Sequence, residues 1–81
     1  MDDVNEFSIS LYPTQVVDFI NVKGLNLIDA EIYDLSGRHI KTVSLLASTV
    51  IEASDLAAGL YIIRVKSQEN TAVFKVERIN R

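Results

Sequence analysis

The stretch Ile32-Tyr33-Asp34-Leu35-Ser36-Gly37-Arg38-His39-Ile40 constrains the fold more than any other part of the chain, because it reads as two β-strands folded back on each other through a glycine turn. Short polar residues closed by Gly between apolar segments are what a three- to five-residue hairpin connection requires. Gly37 takes a positive φ at little cost, and Arg38, which begins the return strand, suits the Asp34 carboxylate across the turn. The remaining elements can be laid out on either side of this hairpin.

Phe7, Ile9 and Leu11 alternate with Ser8 and Ser10, which predicts a strand over 7–12. Tyr12-Pro13-Thr14-Gln15 ends it, since Pro has no N–H to give to a ladder. Residues 16–22, rich in β-branched and aromatic side chains, read as one second strand stopped by Lys23-Gly24, with Asp18 serving the turn before it or a sheet edge. A third strand over 27–35 puts Ile28, Ala30 and Ile32 on the buried face and Asp29, Glu31 and Tyr33 on the other. A fourth over 38–45 and a short one over 50–52 follow, and then a single helical turn capped by Ser54 and ended by Gly59. Residues 60–66 form the strongest strand, with Tyr61, Ile63 and Val65 on one face and Leu60, Ile62, Arg64 and Lys66 on the other. Apolar residues on both faces at its start predict a central position. After the polar turn at 67–70, a strand over 71–77 with Ala72, Phe74 and Val76 inward closes a C-terminal hairpin. Seven short strands, with no helix long enough for a βαβ crossover, indicate a compact antiparallel sandwich.

Eighty-one residues, 48% of them hydrophobic, bound this to one domain with a small core. The absence of Cys removes disulfides, thiolate metal sites and cysteine nucleophiles together. No apolar run approaches the roughly 18 residues of a helical membrane span, and the acidic start Met1-Asp2-Asp3-Val4-Asn5-Glu6 is unlike an export signal. The net charge of −3 weighs against nucleic acid as a partner. Its sign is unevenly placed: residues 1–36 hold seven acids and one base, and residues 37–81 hold four acids and seven bases. Arg64, Lys66, Lys75, Arg78 and Arg81 either meet an acidic surface or make up a solvated strand face.

Little in the chain points to catalysis. His39 lies near Asp34 and Ser36, but a Ser-His-Asp triad gathers residues from distant parts of a scaffold, whereas these share one hairpin turn; a surface His is expected. Asp29, Glu31 and Asp34 offer oxygens of the kind Ca²⁺ takes, yet Asp29 and Glu31 on one strand mark a solvent face. Tyr12, Tyr33 and Tyr61 offer a sugar platform or, in the absence of Trp, core-edge residues with their hydroxyls in water. There is no Gly-rich phosphate loop and no His/Cys metal spacing, so neither a cofactor nor an enzyme is expected.

Taken in order, Ser10-Leu11-Tyr12-Pro13, Asp18-Phe19-Ile20-Asn21-Val22, the hairpin from Ile32 to Arg38, and Leu56-Ala57-Ala58-Gly59-Leu60-Tyr61-Ile62-Ile63-Arg64-Val65 resemble the C-terminal sorting domain of the type IX secretion system of Bacteroidetes, type A. The resemblance runs over about residues 7–76. It implies an Ig-like antiparallel β-sandwich that does no chemistry and forms the tail of a larger secreted protein. The outer-membrane translocon and its shuttle proteins read it as an address, and a sortase-like cysteine peptidase removes it. The preceding cargo passes through the periplasm to the outer-membrane surface or the outside, often joined to anionic lipopolysaccharide. By the same resemblance, Tyr12, Pro13, Asp18, Asp34, Gly37, Arg38, Gly59, Tyr61, Lys75, Arg78 and Arg81 carry the family motifs or the recognition surface, which centres on the hairpin over 60–76 and the basic tail. Two departures are visible. The family's first turn typically reads Tyr-Pro-Asn-Pro where this chain has Tyr12-Pro13-Thr14-Gln15, and its lysine-rich tail is replaced by Glu77, Arg78, Ile79, Asn80 and Arg81 after Lys75. Residues 1–6 are expected to be a linker or its remnant, and 7–81 the sorting domain. An Ig-like adhesion or carbohydrate-binding module is the alternative. Exposed edge strands also allow a homodimer by strand pairing; neither nucleic-acid binding nor membrane insertion is expected.

Overall fold

The alternation resolves into eight strands and no helix in the computed structural model, which describes residues 8–80. The strands are β1 (Ser10–Tyr12), β2 (Gln15–Val16), β3 (Phe19–Lys23), β4 (Leu27–Asp34), β5 (His39–Ser44), β6 (Val50–Glu52), β7 (Gly59–Ser67) and β8 (Thr71–Arg78). The expected linker over 1–6, the start of the first strand at Phe7 and the terminal Arg81 lie outside the described residues. β1-β3-β6 make a three-stranded sheet and β2-β8-β7-β4-β5 a five-stranded one. β7 holds the centre of the larger sheet, as its two apolar faces require.

Side chains from both sheets meet in a single core. Ile20 and Ile51 come from the smaller sheet, Ile32, Ile63 and Val65 from the larger, and Val16 from β2; all are essentially inaccessible to solvent. Each such side chain contributes about 1.5–3 kcal/mol by leaving water. Together they supply the main force holding the two sheets face to face.

Four expectations need correction. Residues 16–22 do not form one strand. Val16 pairs with Arg78 in the larger sheet, and three residues later Phe19 pairs with Glu52 in the smaller. The chain crosses between sheets at Val17-Asp18, which lets both Val16 and Ile20 point into the core. The all-β sandwich of about seven strands stands, the split bringing the number to eight, but β2 runs parallel to β8 where the other ladders are antiparallel. Ile28 is not a core-facing residue. The register passes from Leu27 opposite Ser67 to Asp29 opposite Lys66, a bulge with one extra residue. That shift turns Leu27 into the core beside Ala30 and Ile32 and leaves Ile28 half-buried. Finally, residues 53–58 form no helical turn. The Leu56 N–H donates to Ala53 O at 3.0 Å as a tight turn, and the Ser54 hydroxyl, expected as a cap, donates instead to Glu52 Oε2 at 2.9 Å.

Candidate functional site

The β4–β5 turn is organised by one carboxylate. Asp34 Oδ1 accepts the Ser36 N–H at 3.0 Å, the Ser36 hydroxyl at 2.6 Å and the Arg38 N–H at 3.0 Å. Arg38 Nε lies 3.3 Å from Oδ2, which is the ion pair the sequence suggests. The Gly37 N–H reaches Asp34 O at 3.0 Å, and Gly37 sits at φ +92°, a conformation that a side chain would strain. The Ser36 hydroxyl, with help from the Arg38 N–H, holds the Asp34 carboxyl below its ordinary value of 3.8.

A second cluster forms at the loop over 53–58, where the sequence offered only scattered motif residues. The Tyr61 hydroxyl donates to Ala57 O at 2.6 Å, and the Ala53 N–H donates to Asp18 O at 2.7 Å. Arg78 reaches the loop from the end of β8: Nε donates to Ala53 O at 2.9 Å, Nη2 to Ser54 O at 3.2 Å, and Nη1 to Ile79 O. Lys41 closes the far side, its ammonium on Asp55 Oδ1 at 2.9 Å and on Glu52 O at 2.8 Å. That contact lowers the Asp55 carboxyl below 3.8. Gly59, at φ +152°, leads the chain from the loop into β7. Asp18, Gly59, Tyr61 and Arg78 thus converge on one structural joint, in which Arg78 is spent on carbonyls.

The outer face of the five-stranded sheet is the broadest surface that the expected residues share. Its cross-strand rows run Lys75, Ile62, Tyr33, His39 and Val73, Arg64, Glu31, Thr42. The Tyr33 hydroxyl donates to Glu31 Oε1 at 3.1 Å, and Arg64 Nε lies 3.7 Å from the same oxygen. Desolvation, and then that hydrogen bond, raise the Tyr33 phenol above its ordinary 10.0. His39 stands edge-on to the Tyr33 ring at 5.5 Å and hydrogen-bonds Thr42 Oγ1 at 2.7 Å, so it turns to β5 rather than to Ser36. Lys75 is exposed and has no hydrogen bond or ion pair among the described residues.

The three tyrosines do not form a common platform. Tyr33 lies on the outer face of the larger sheet, Tyr61 points inward, and Tyr12, 53% exposed, lies on the outer face of the smaller sheet. Pro13 follows it in an exposed turn through a cis peptide bond. Sequence reasoning missed Lys41 and Asp55, whose pairing depends on bringing β5 beside β6, and Phe19, exposed on the outer face of the smaller sheet because β3 buries Ile20 and Val22 instead. Val73, 61% exposed, was legible from its alternation with Ala72 and Phe74. A cleft of about 370 Å³ opens between Gly24, Leu27, Leu45 and Leu46; none of the expected site residues lines it.

Comparison with known proteins bears on the chain as a whole. A family model described as a secretion system C-terminal sorting domain matches residues 10–77, which is the span from the first residue of β1 to the penultimate residue of β8. No curated protein matches the chain. Because the match takes in both sheets and nearly the whole sequence, the chain belongs to the type IX secretion C-terminal sorting domain family, and its eight-stranded sandwich is a sorting signal.

Proposed function

We propose that the folded sandwich is the address by which a preceding cargo passes the type IX outer-membrane translocon, and that the translocon or its shuttle protein reads the outer face of the β7–β8 hairpin. A sortase-like cysteine peptidase then releases the domain, and the cargo reaches the outer-membrane surface or the outside. The chain supplies no catalytic group to these steps. The observation that carries the reading is the family match over residues 10–77. The choice of surface rests on Lys75, an exposed residue opposite Ile62 on the outer face with no hydrogen bond or ion pair among the described residues. Arg78 is engaged by the Ala53 and Ser54 carbonyls, which favours Lys75 over Arg78 as the basic group that is read.

A fluorescent reporter fused upstream of the chain, expressed in a Bacteroidetes host with and without a working translocon, tests the reading. The expected result is translocon-dependent appearance of the reporter outside the cell with loss of the 9.0 kDa tail. Retention of a folded fusion inside overturns it. Lys75→Glu is expected to reduce export while leaving the domain folded.

A further inference from the structure

We infer that the open edge of β8 is a self-pairing site, through which two copies of this chain join their larger sheets into one continuous sheet across a two-fold axis at Val73. β2 covers only the end of β8, pairing with Glu77 and Arg78. There the Glu77 N–H donates to Thr14 O at 2.8 Å and the Ile79 N–H to Val16 O at 2.9 Å. Backbone groups alternate sides along a strand, so the N–H and C=O groups of Thr71, Val73 and Lys75 point to the same side as those of Glu77, beyond the reach of β2. Among the described residues nothing pairs with them, which leaves an open ladder five residues long.

The other long edge of this sheet is defended, and this one is not. β5 carries a bulge, its register passing from Lys41 opposite Ile32 to His39 opposite Tyr33. Its Lys41 also turns toward the inner face and ties the edge to Glu52 and Asp55 of the facing layer. Bulges and inward charges are the devices that stop strand addition. β8 pairs with β7 in unbroken register from Gly59 opposite Arg78 to Lys66 opposite Thr71, and its inward residues along the open stretch are Ala72 and Phe74.

The sequence of the open stretch is complementary to itself. An antiparallel pair centred on Val73 sets Val73 against its copy, Thr71 against Lys75 and Ala72 against Phe74. Every outward N–H and C=O of Thr71, Val73 and Lys75 then finds a partner, about six bonds in all. Lysine does not meet lysine. On the inner face the large Phe74, half-buried at the rim of the core, covers the small Ala72 of the other copy; on the outer face Val73, 61% exposed, is covered by its own twin. So short a ladder falls below the roughly 1,200 Å² of a stable interface, so the dimer is weak and forms only at high concentration.

Sedimentation equilibrium of the 81-residue chain from about 10 μM to about 1 mM, with amide hydrogen exchange at both ends of that range, tests the inference. The expected result is a monomer–dimer equilibrium in which the Thr71, Val73 and Lys75 amides gain protection with concentration while those of Ala72 and Phe74, already bonded to β7, do not change. Val73→Lys, which sets two ammonium groups against each other at an exposed position, is expected to weaken the dimer at least about tenfold without changing the unfolding midpoint of the monomer. Val73→Pro, which removes the central outward N–H, is expected to do the same. A chain that stays monomeric through about 1 mM overturns the inference. So does a dimer that Val73→Lys leaves intact, or one whose newly protected amides lie in β5.

Discussion

Arg78 delivers its guanidinium to Ala53, Ser54 and Ile79 carbonyls, so a charge that the sequence offers to a partner is consumed within the fold. Charge-assisted bonds of this kind each contribute about 1.5–3 kcal/mol, and removing the donor takes three of them away, although Ala53 O keeps the Leu56 N–H and the exposed Ser54 carbonyl can turn to water. Arg78→Ala is therefore expected to destabilise the domain by about 1–3 kcal/mol in urea unfolding, and Arg78→Lys to recover little of it, since one ammonium cannot span the three carbonyls. Asp34 makes the complementary case for an acid. Its carboxyl, like that of Asp55, titrates below 3.8 in the folded chain, so its contribution is present above that value and is lost as pH falls through the folded value. Asp34→Asn is expected to lower the melting temperature at neutral pH. The difference should narrow as parent and variant are compared from about pH 7 down to about pH 2; a constant gap would assign the Asp34 effect to shape rather than charge.

Among the elements, β7 and β8 were the most legible, because strict alternation fixes both the strand and its phase: Tyr61, Ile63 and Val65 are buried, and Arg64 and Lys66 are exposed. The same phase yields a paired expectation. Ile63→Ala removes a fully buried side chain and should cost about 2–5 kcal/mol, whereas Val73→Ala, on the outer face of the neighbouring strand, should stay within about 0.5 kcal/mol in dilute solution. Urea midpoints of the two variants check both. The β4–β5 turn was legible too, since Asp34, Ser36, Gly37 and Arg38 carry its chemistry locally. Elements failed to show where the signal was not local. A run of apolar residues from Val16 to Val22 holds no phase, so nothing in it marks the crossing at Val17-Asp18. The bulge at Ile28 is set by Ser67 and Lys66 on another strand, and Ser54 gives its hydroxyl to Glu52 instead of capping a helical turn, in a loop held from other strands by Tyr61 and Arg78. The candidate site divides along the same line: its motif residues were visible, but whether each faces a partner or the interior depends on contacts made across the sheets.

For the whole molecule, the basic half of the sequence is largely neutralised by folding. Arg38 meets Asp34, Lys41 meets Asp55, Arg64 meets Glu31 and Arg78 meets carbonyls, while Lys66 and Lys75 remain exposed without a partner among the described residues. The C-terminal residues that bear this charge also close the sandwich. The Glu77 and Ile79 N–H groups donate to the Thr14 and Val16 carbonyls, and Arg78 binds the loop over 53–58, so the last residues of β8 and Ile79 tie the sheet-crossing segment and the β6–β7 connection to the larger sheet. A chain ended after Val76 loses all of these bonds together. The expected loss is about 3–5 kcal/mol, a large share of the roughly 4–12 kcal/mol typical for a domain of this size. In urea unfolding followed by circular dichroism, the shortened chain should show a much lower midpoint or no cooperative transition; an unchanged midpoint would mean that the end of β8 is dispensable to the fold. The end of β8 is therefore part of the scaffold, and loss of export on shortening the tail reports unfolding as readily as lost recognition. Lys75→Glu separates the two, because it changes an exposed charge that no described contact uses: export should fall at constant unfolding midpoint if the tail is read by charge, and should hold if the translocon reads the backbone and shape of the hairpin.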